Sequence, residues 1–522
     1  LQDRIGLFHS PIWDSQQLKD NAVDFEVKAA PKHPNTLSFL SDVHKKNLIG
    51  NQWIPAKSGQ EIESIDPATG ERIAFIPESG TIDVDDAVNA AQRAFHSPEW
   101  RALTPSERGR LLWRLAELIE TNIESLAELE TLDQGKPVNV ARWAEIPGAV
   151  EQFRFFAGEA SKIEGSTIPS SINYQPKDKT VFAYTRKEPI GVVGAIVPWN
   201  SPIVLTAMKL APALAAGCTL VLKPAEDTSL TALRLGELII EAGFPKGVVN
   251  IVTGFGEAAG HALASHPGVN KVAFTGSTET GRKILDAAKE NLKKVSLELG
   301  GKSPVIVFKD AELDAAIQGA ANAIFFNGGQ VCVAGSRLYV ERGIFEAVTR
   351  GICKIAEGLK LGHGLHPETS MGPLVNADHA NKVRSFIKRA EQQGAKILTG
   401  GNGKGSFVEP TVLTDVTPEM EIVCEEVFGP VLVCIPFDSM EDVLSQANES
   451  RYGLAASVWT ENLSKAHRVA EALEAGTVWI NSHAVYDASL PIGGMKQSGW
   501  GRDSGRQAID NYIEEKTVCA FV

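Results

Sequence analysis

Gly191-Val-Val-Gly-Ala-Ile-Val197, Pro198-Trp199-Asn200-Ser201-Pro202, Leu205 to Ala216 and Thr219-Leu-Val-Leu222 follow one another closely, and their order decides the fold. The first run is apolar at nearly every position, as a strand covered on both faces must be, and Pro198 ends it. Leu205 to Ala216 reads as a helix and Thr219 to Leu222 as the next strand. Downstream, Leu230 to Ala242 is helical, while Gly247-Val-Val-Asn-Ile-Val252 and Lys271-Val-Ala-Phe274 are strands. This alternation predicts an α/β, Rossmann-like domain with a parallel sheet under helices and ligands outside the carboxyl ends of its strands. A second alternating block starts near Pro304-Val-Ile-Val-Phe308 and runs to about Trp500. Two such lobes place a site in the cleft between them.

Upstream, Asn51-Gln52-Trp53 to Pro77 is strand-rich, with a turn at Pro67-Ala-Thr-Gly70. From Val84 to Leu132 the apolar residues recur at helical spacing: Val84, Ala87, Val88 and Ala91, then Leu111, Leu112, Leu115 and Leu118. The first 45 residues or so are weakly periodic and read as an extension on the surface. Ser171 to Arg186 is polar but flanked by β-like residues, and Tyr512 to Val522 also reads as β; two such strands can pair across a subunit boundary. The expected division is an extension over 1–45, a Rossmann-like α/β domain over 46–170 and 188–300, a second α/β domain over 301–500, and β-rich oligomerisation segments over 171–187 and 505–522.

At 522 residues the chain holds two or three domains, and 43% hydrophobic with 22% charged residues is ordinary for a globular protein. A net charge of −13 argues against a nucleic-acid or anionic-membrane binder, which needs a basic face. The run from Arg384 to Arg389 is too sparse to change that and reads as a solvated helix face. The six cysteines, Cys218, Cys332, Cys353, Cys424, Cys434 and Cys519, show no CxxC spacing, so neither a metal site nor a disulfide framework is indicated. Scattered thiols, no charged-then-apolar leader and no apolar run near the ~20 residues of a membrane span predict a cytoplasmic protein.

Four segments carry candidate chemistry. In Pro198-Trp199-Asn200-Ser201-Pro202, two prolines fix the backbone around an amide that either caps the next helix or donates to a developing oxyanion. In Lys223-Pro224-Ala225-Glu226, a lysine and a carboxylate at a strand end form either a salt bridge or a ribose site. Gly276 and Ser277, in Phe274-Thr275-Gly276-Ser277, open a helix whose free N–H groups favour a phosphate, although an ordinary cap explains Ser277 as well. Gly254-Phe-Gly256-Glu-Ala-Ala-Gly260 is one residue too long for the usual dinucleotide fingerprint. Finally, Gly328-Gly329-Gln330-Val331-Cys332 sets a thiol among glycines, with Glu298 upstream in Glu298-Leu-Gly-Gly301. Such a thiol is either an inert buried group or a nucleophile with a carboxylate to activate water.

Taken in order, these segments resemble the aldehyde dehydrogenase superfamily from about Leu48 to the C-terminus. Pro198-Trp199-Asn200, Lys223-Pro224-Ala225-Glu226, Phe274-Thr275-Gly276-Ser277, Glu298-Leu-Gly-Gly301, Gly329-Gln330-Val331-Cys332 and Glu425-Glu426-Val427-Phe428-Gly429-Pro430 stand in family order, as does Asn481 before Pro491-Ile492-Gly493-Gly494. The resemblance implies that Cys332 forms a thiohemiacetal and then a thioester, that Asn200 and the Cys332 N–H hold the oxyanion, and that Glu298 activates water. Lys209 matches a lysine near the same network. For the cofactor, NAD, it implies that Lys223 and Glu226 meet the adenine ribose, Gly276 and Ser277 the pyrophosphate, and Glu426 and Phe428 the nicotinamide ribose and ring, with Trp199 lining the cleft. A carboxylate at 226 disfavours a 2′-phosphate, so NAD is expected over NADP. The coenzyme-A-acylating branches lack the glutamate, which favours the hydrolytic branch.

The family's substrate pocket maps onto Ser201, Met208, Val331, Val333, Tyr486 and Ile492, largely apolar and without an arginine for a second carboxylate. A hydrophobic or aromatic aldehyde is expected, similar to the substrates of phenylacetaldehyde dehydrogenases; an aliphatic, terpenoid or semialdehyde substrate is the alternative. A homodimer or homotetramer is implied. Two other readings compete: a catalytically silent relative, which would not need Cys332, Glu298 and Asn200, and a cofactor-free thiol esterase, which would not need Lys223, Glu226, Ser277 and Glu426.

Overall fold

A computed structural model describes residues 28–171 and 178–522. Its first sheet is built around five parallel strands: β1 (Val192–Ile196), β2 (Thr219–Lys223), β3 (Val249–Ile251), β4 (Lys271–Thr275) and β5 (Lys294–Glu298). They lie in the order β3-β2-β1-β4-β5. That is the order of a mononucleotide-binding half, with the reversal between β1 and β4. Antiparallel strands extend both edges, Asn47–Ile49 and Gln52–Ile54 beyond β3 and Gly499–Trp500 beyond β5. β1, β2 and β4 are buried at every position, which is why they read as unbroken apolar runs. The register pairs Ile196 with Lys223 and with Phe274, and Thr275 with Glu298, so one rim carries all four carboxyl ends.

Helix α1 (Pro202–Ala216) starts on a proline at its first turn and buries thirteen of its fifteen residues. With α2 (Leu230–Ala242) and the helices Pro105–Thr121 and Ile146–Glu159 it forms the largest core, where Leu112, Leu115, Phe153, Phe156, Leu210 and Leu214 are inaccessible. At about 25 cal/mol per Å² of apolar surface, each such leucine or phenylalanine favours the folded chain by about 1.5–3 kcal/mol. The second lobe has a seven-stranded sheet: β6 (Pro304–Val307), β7 (Arg337–Glu341), β8 (Lys396–Thr399), β9 (Thr411–Thr414), β10 (Val431–Phe437), β11 (Ala455–Trp459) and β12 (Thr477–Ile480), in the order β8-β9-β10-β7-β6-β11-β12. Only β8 runs antiparallel to its neighbour.

The structure adds detail to two expectations. Val181–Pro189 and Ile513–Phe521 pair with each other within one chain, antiparallel from Ile513 opposite Pro189 to Phe521 opposite Val181, with Thr167–Ile168 as a third strand. Each satisfies one edge of the other, and the outer edges, on Ile513–Phe521 and on Thr167–Ile168, stay unpaired among the described residues; residues 172–177 of the predicted segment lie outside them. Within the expected surface extension, Pro34–Ser41 is a helix with Thr36 buried and with Phe39 and Leu40 packed on the core, anchored where Lys32 and His33 donate backbone N–H bonds to Glu128. Residues 1–27 of that extension are outside the described part. No helix among the described residues is long and apolar enough to cross a membrane.

Candidate active site

Asn200 leaves the end of β1 just before α1 and is nearly inaccessible. It does not cap the helix: Ser201 takes that position without a side-chain cap bond, and Asn200 Nδ2 donates instead to the Gln330 carbonyl at 3.0 Å. An amide nitrogen has two hydrogens, so fixing one on Gln330 orients the other. Gln330 is itself held, its Oε1 accepting from Val375 N at 2.9 Å.

The Gln330 to Cys332 segment leaves helix Leu313–Phe325 through a turn with three successive residues in the left-handed region, Asn327 (φ 48°), Gly328 (61°) and Gly329 (72°). A β-carbon on Gly329 would lie 2.0 Å from the Gly429 carbonyl oxygen, so this glycine is required by close backbone approach. Gly301 is required likewise: a β-carbon there would meet the Cys332 carbonyl oxygen at 2.4 Å. Glu298, Gly301 and Cys332 are thereby drawn together. Cys332 keeps accessible surface although protein surrounds it, as does Tyr486, which marks both as cleft-wall residues. Burial pushes the Cys332 thiol up to about 12, and the carboxylates of Glu426 and Glu298 add to the rise.

Glu298 ends β5 with 7% of its surface exposed, and its Oε1 has no hydrogen-bond partner among the described residues. Burial raises its pKa well above the usual carboxylate range, the Asp503 charge raises it further, and Lys209 and Arg502 oppose this. Lys209, on α1, is inaccessible and bonded to Asp503 Oδ2 at 2.5 Å. Sequence reasoning missed Asp503, which lies 294 residues from Lys209 and belongs to no recognisable motif.

Beneath Asn200 lies a second buried group that also escaped the sequence. Lys136 Nζ donates to Glu130 Oε1 (3.0 Å), Glu145 Oε1 (2.9 Å) and the Asn200 carbonyl (3.0 Å). Asn327 Nδ2 donates to the same carbonyl at 2.9 Å. Ser201 Oγ donates to Glu145 Oε1 at 3.1 Å, so this predicted pocket residue is joined to the same network. Lys136 sits in the Gly135-Lys136-Pro137 turn after a helix, where sequence alone suggests an exposed cation.

On the other side of the rim, Lys223 Nζ contacts Glu226 Oε2 at 2.7 Å, with Lys223 nearly buried and Glu226 about one-third exposed. Burial would raise the Glu226 pKa, but Lys223 outweighs it and holds the carboxyl below its usual range. Ser277 caps the eleven-residue helix Thr278–Ala288, its Oγ accepting from Thr280 N at 3.1 Å, and Gly276 precedes it. The first-turn N–H groups lack intrahelical partners, and such a helix start favours an anion. Glu426 Oε1 accepts from Gly301 N at 2.9 Å, and burial raises its carboxyl to about 7. Phe428 (φ 57°) stacks edge-on with Trp199, ring centres 5.2 Å apart, and its carbonyl bonds His379 Nε2 at 2.7 Å. Carboxylates that can hold hydroxyls, a helix N-terminus that favours phosphate and an aromatic pair are the groups that a dinucleotide needs.

The expected pocket residues divide. Met208 is nearly buried on α1; Val331 and Ile492 are partly exposed; Tyr486 is 46% exposed. Val333 is instead buried among Leu454, Ala455 and Trp479. Trp143, Val485 and Leu490 are exposed apolar residues, and Trp143 packs edge-on against Phe326 with ring centres 6.1 Å apart.

A profile of the aldehyde dehydrogenase family matches residues 53–518. The phenylacetaldehyde dehydrogenase of Pseudomonas fluorescens is 47% identical over 476 residues, 90% of this chain and 95% of its own. Human retinaldehyde dehydrogenase 3 is 47% identical over 494 residues, 94% of this chain and 95% of its own. Among solved structures, the NAD+ complex of the aldehyde dehydrogenase from Bacillus cereus superposes with a TM-score of 0.91 at 48% identity, covering 94% of this chain and 99% of that one.

Proposed function

The chain belongs to the aldehyde dehydrogenase family and oxidises an aldehyde to its carboxylic acid with reduction of NAD, and from that premise we propose how its residues divide the work. Cys332 is the nucleophile, Asn200 Nδ2 and the Cys332 N–H stabilise the oxyanion, and Glu298 is the general base, with Lys209 tuning it through Asp503. Trp199, Lys223, Glu226, Gly276, Ser277, Glu426 and Phe428 hold the cofactor. The partnerless Glu298 Oε1 beside a cleft-wall thiol supports this most directly. A silent protein or a cofactor-free esterase would leave that oxygen, or the cofactor groove, unexplained.

In the free enzyme the thiol stays protonated, held so by burial and two neighbouring carboxyls. Bound NAD supplies a positive ring and a hydride acceptor. Cys332 gives up its thiol proton to solvent and, as thiolate, bonds the aldehyde carbon to give a thiohemiacetal whose oxyanion meets the free Asn200 N–H; the oxyanion re-forms the carbonyl as hydride leaves for the cofactor, and a thioester remains on Cys332. The raised pKa of Glu298 makes its ionised form a stronger base toward water than an ordinary carboxylate. That water attacks the thioester carbon, the C–S bond breaks, and acid and thiol are released.

The aldehyde is hydrophobic or aromatic: Trp143, Met208, Val331, Val485, Tyr486 and Leu490 supply the surface, with Ser201 and Ile492 on the same wall. Glu145, bonded to Ser201, disfavours an aldehyde with a distal carboxylate. Relatives of equal identity bear different aldehydes in their names, so identity does not select among them. The enzyme is a cytoplasmic homodimer or homotetramer built through 171–187 and 505–522, with the cofactor domain over 46–170 and 188–300, the catalytic domain over 301–500 and the extension over 1–45. Steady-state kinetics with aromatic, terpenoid, aliphatic and acidic aldehydes, each with NAD and NADP, tests the reading. Highest kcat/KM for phenylacetaldehyde or another apolar aldehyde with NAD is expected; highest efficiency for a semialdehyde, or for NADP, overturns the substrate or cofactor assignment respectively.

A further inference from the structure

His483 follows β12 at the start of the loop that carries Tyr486, and its two ring nitrogens are both engaged. Nε2 lies 2.9 Å from the Val333 carbonyl oxygen, one residue beyond Cys332, and Nδ1 lies 2.9 Å from Ser457 Oγ on β11. A carbonyl only accepts, so Nε2 carries the proton; a neutral imidazole then has a bare Nδ1, which accepts from the Ser457 hydroxyl. Loss of water contact pulls the ring down to about 4, consistent with a neutral group near pH 7. The ring is also clamped against Trp479, with centres 4.9 Å apart, and a β-carbon on Gly335 would touch its Cε1 at 3.4 Å.

The consequence concerns the segment around the nucleophile. Val331 O accepts from Ala334 N at 3.0 Å, the Cys332 carbonyl abuts Gly301, and Val333 O accepts from His483. The Val333–Ala334 peptide carries both Val333 O and the Ala334 N–H, so His483 holds from outside the peptide that is bonded to the one bearing Val331 O and the Cys332 N–H. Without the His483 bond that peptide is held only through Ala334 N, so it can tilt and, through the bond to Val331 O, carry the Cys332 N–H with it. Displacements of about 1 Å at a reacting group cost roughly a hundredfold in rate.

We infer that His483 is a positioning residue for Cys332, fixing the nucleophile's backbone from the substrate-loop side by a donated Nε2–H bond to Val333. The inference rests on Cys332 being the nucleophile. Its test is the pre-steady-state NADH burst with phenylacetaldehyde, beside KM for NAD and the thermal midpoint. His483→Phe keeps the ring and loses both bonds: a burst slowed tenfold or more with KM for NAD within twofold is expected. His483→Gln, whose Nε2 can donate to Val333, is expected to recover to within about threefold of wild type. A wild-type burst in His483→Phe, or a His483→Gln burst as slow as that of His483→Phe, overturns the inference. If His483→Phe does not fold, Ser457→Ala replaces it: removing the hydroxyl frees the tautomer, so a burst slowed several-fold supports the role and an unchanged one refutes it. In parallel, a Cys332→Ala enzyme that retained its burst would overturn the nucleophile assignment instead.

Discussion

Replacing Lys136 by methionine keeps the stem of the side chain and removes the charge between two buried carboxylates. In the native structure the ammonium has no accessible surface, and its three bonds run to Glu130, Glu145 and the Asn200 carbonyl. Breaking a buried ion pair by deleting one partner costs about 3–5 kcal/mol, because the remaining charge is left uncompensated. That cost must depend on pH. Glu130 already titrates at about 7, raised mainly by burial, and Lys136 opposes the rise. A carboxyl raised on folding contributes stability that is full below its unfolded value and is lost as pH climbs through the folded one. In the native protein this loss runs from about 4.5 to about 7 and then stops. Without Lys136 the folded value moves higher still, so the loss continues past pH 7 at up to about 1.4 kcal/mol per pH unit. Between pH 7 and 8.5 the difference between the two proteins therefore widens by up to about 2 kcal/mol. Urea unfolding of both proteins at pH 6, 7 and 8.5 measures it. A deficit that is the same at all three values, or that stays under about 1 kcal/mol, refutes the reasoning.

Glu298→Gln is expected to give an NADH burst of one equivalent per site, followed by turnover slowed roughly 10²–10³-fold, since only deacylation needs the base; equal loss of burst and turnover would place Glu298 earlier in the reaction. Cys332 without cofactor should be alkylated by iodoacetamide at a rate rising about tenfold per pH unit through pH 9, because its thiol is pushed up to about 12. A plateau below pH 8.5 contradicts that environment. Glu226→Ala should raise NADP efficiency at least tenfold relative to NAD by removing a carboxylate from the site of the 2′-phosphate, and an unchanged ratio in steady-state kinetics would remove Glu226 from the ribose site.

The parallel strands were legible because β1, β2 and β4 are buried on both faces, which leaves continuous apolar runs in the sequence. Helix Leu230–Ala242 was read to the residue, since its apolar stripe and Gly243 mark its length and end. Helix Pro34–Ser41 was not, because two turns hold too few apolar positions to show a period. At the site, Glu298, Cys332 and the cofactor segments each belong to a short contiguous pattern. Asp503 and His483 do not: their bonds span 294 and 150 residues, and local sequence carries no record of such partners; Lys136 pairs with the nearby Glu130 and Glu145, but only its bond to the Asn200 carbonyl, 64 residues away, ties it to the site. The alternatives posed for single segments were not exclusive. Ser277 is a helix cap, a role that also leaves a helix N-terminus for phosphate, and Lys223 and Glu226 are a salt bridge at the strand rim. Only Asn200 excluded one of its readings, by turning its amide to Gln330 instead of capping α1.

The claim on which the account stands is that oxidation passes through an acyl group on Cys332. Rapid quenching of Glu298→Gln with NAD and phenylacetaldehyde, followed by acid digestion and mass spectrometry, reads it directly. The account predicts one phenylacetyl group per site, in thioester linkage on the peptide containing Cys332 and formed at the rate of the NADH burst. NADH released with that peptide unmodified, or the acyl group found on another residue, would contradict it.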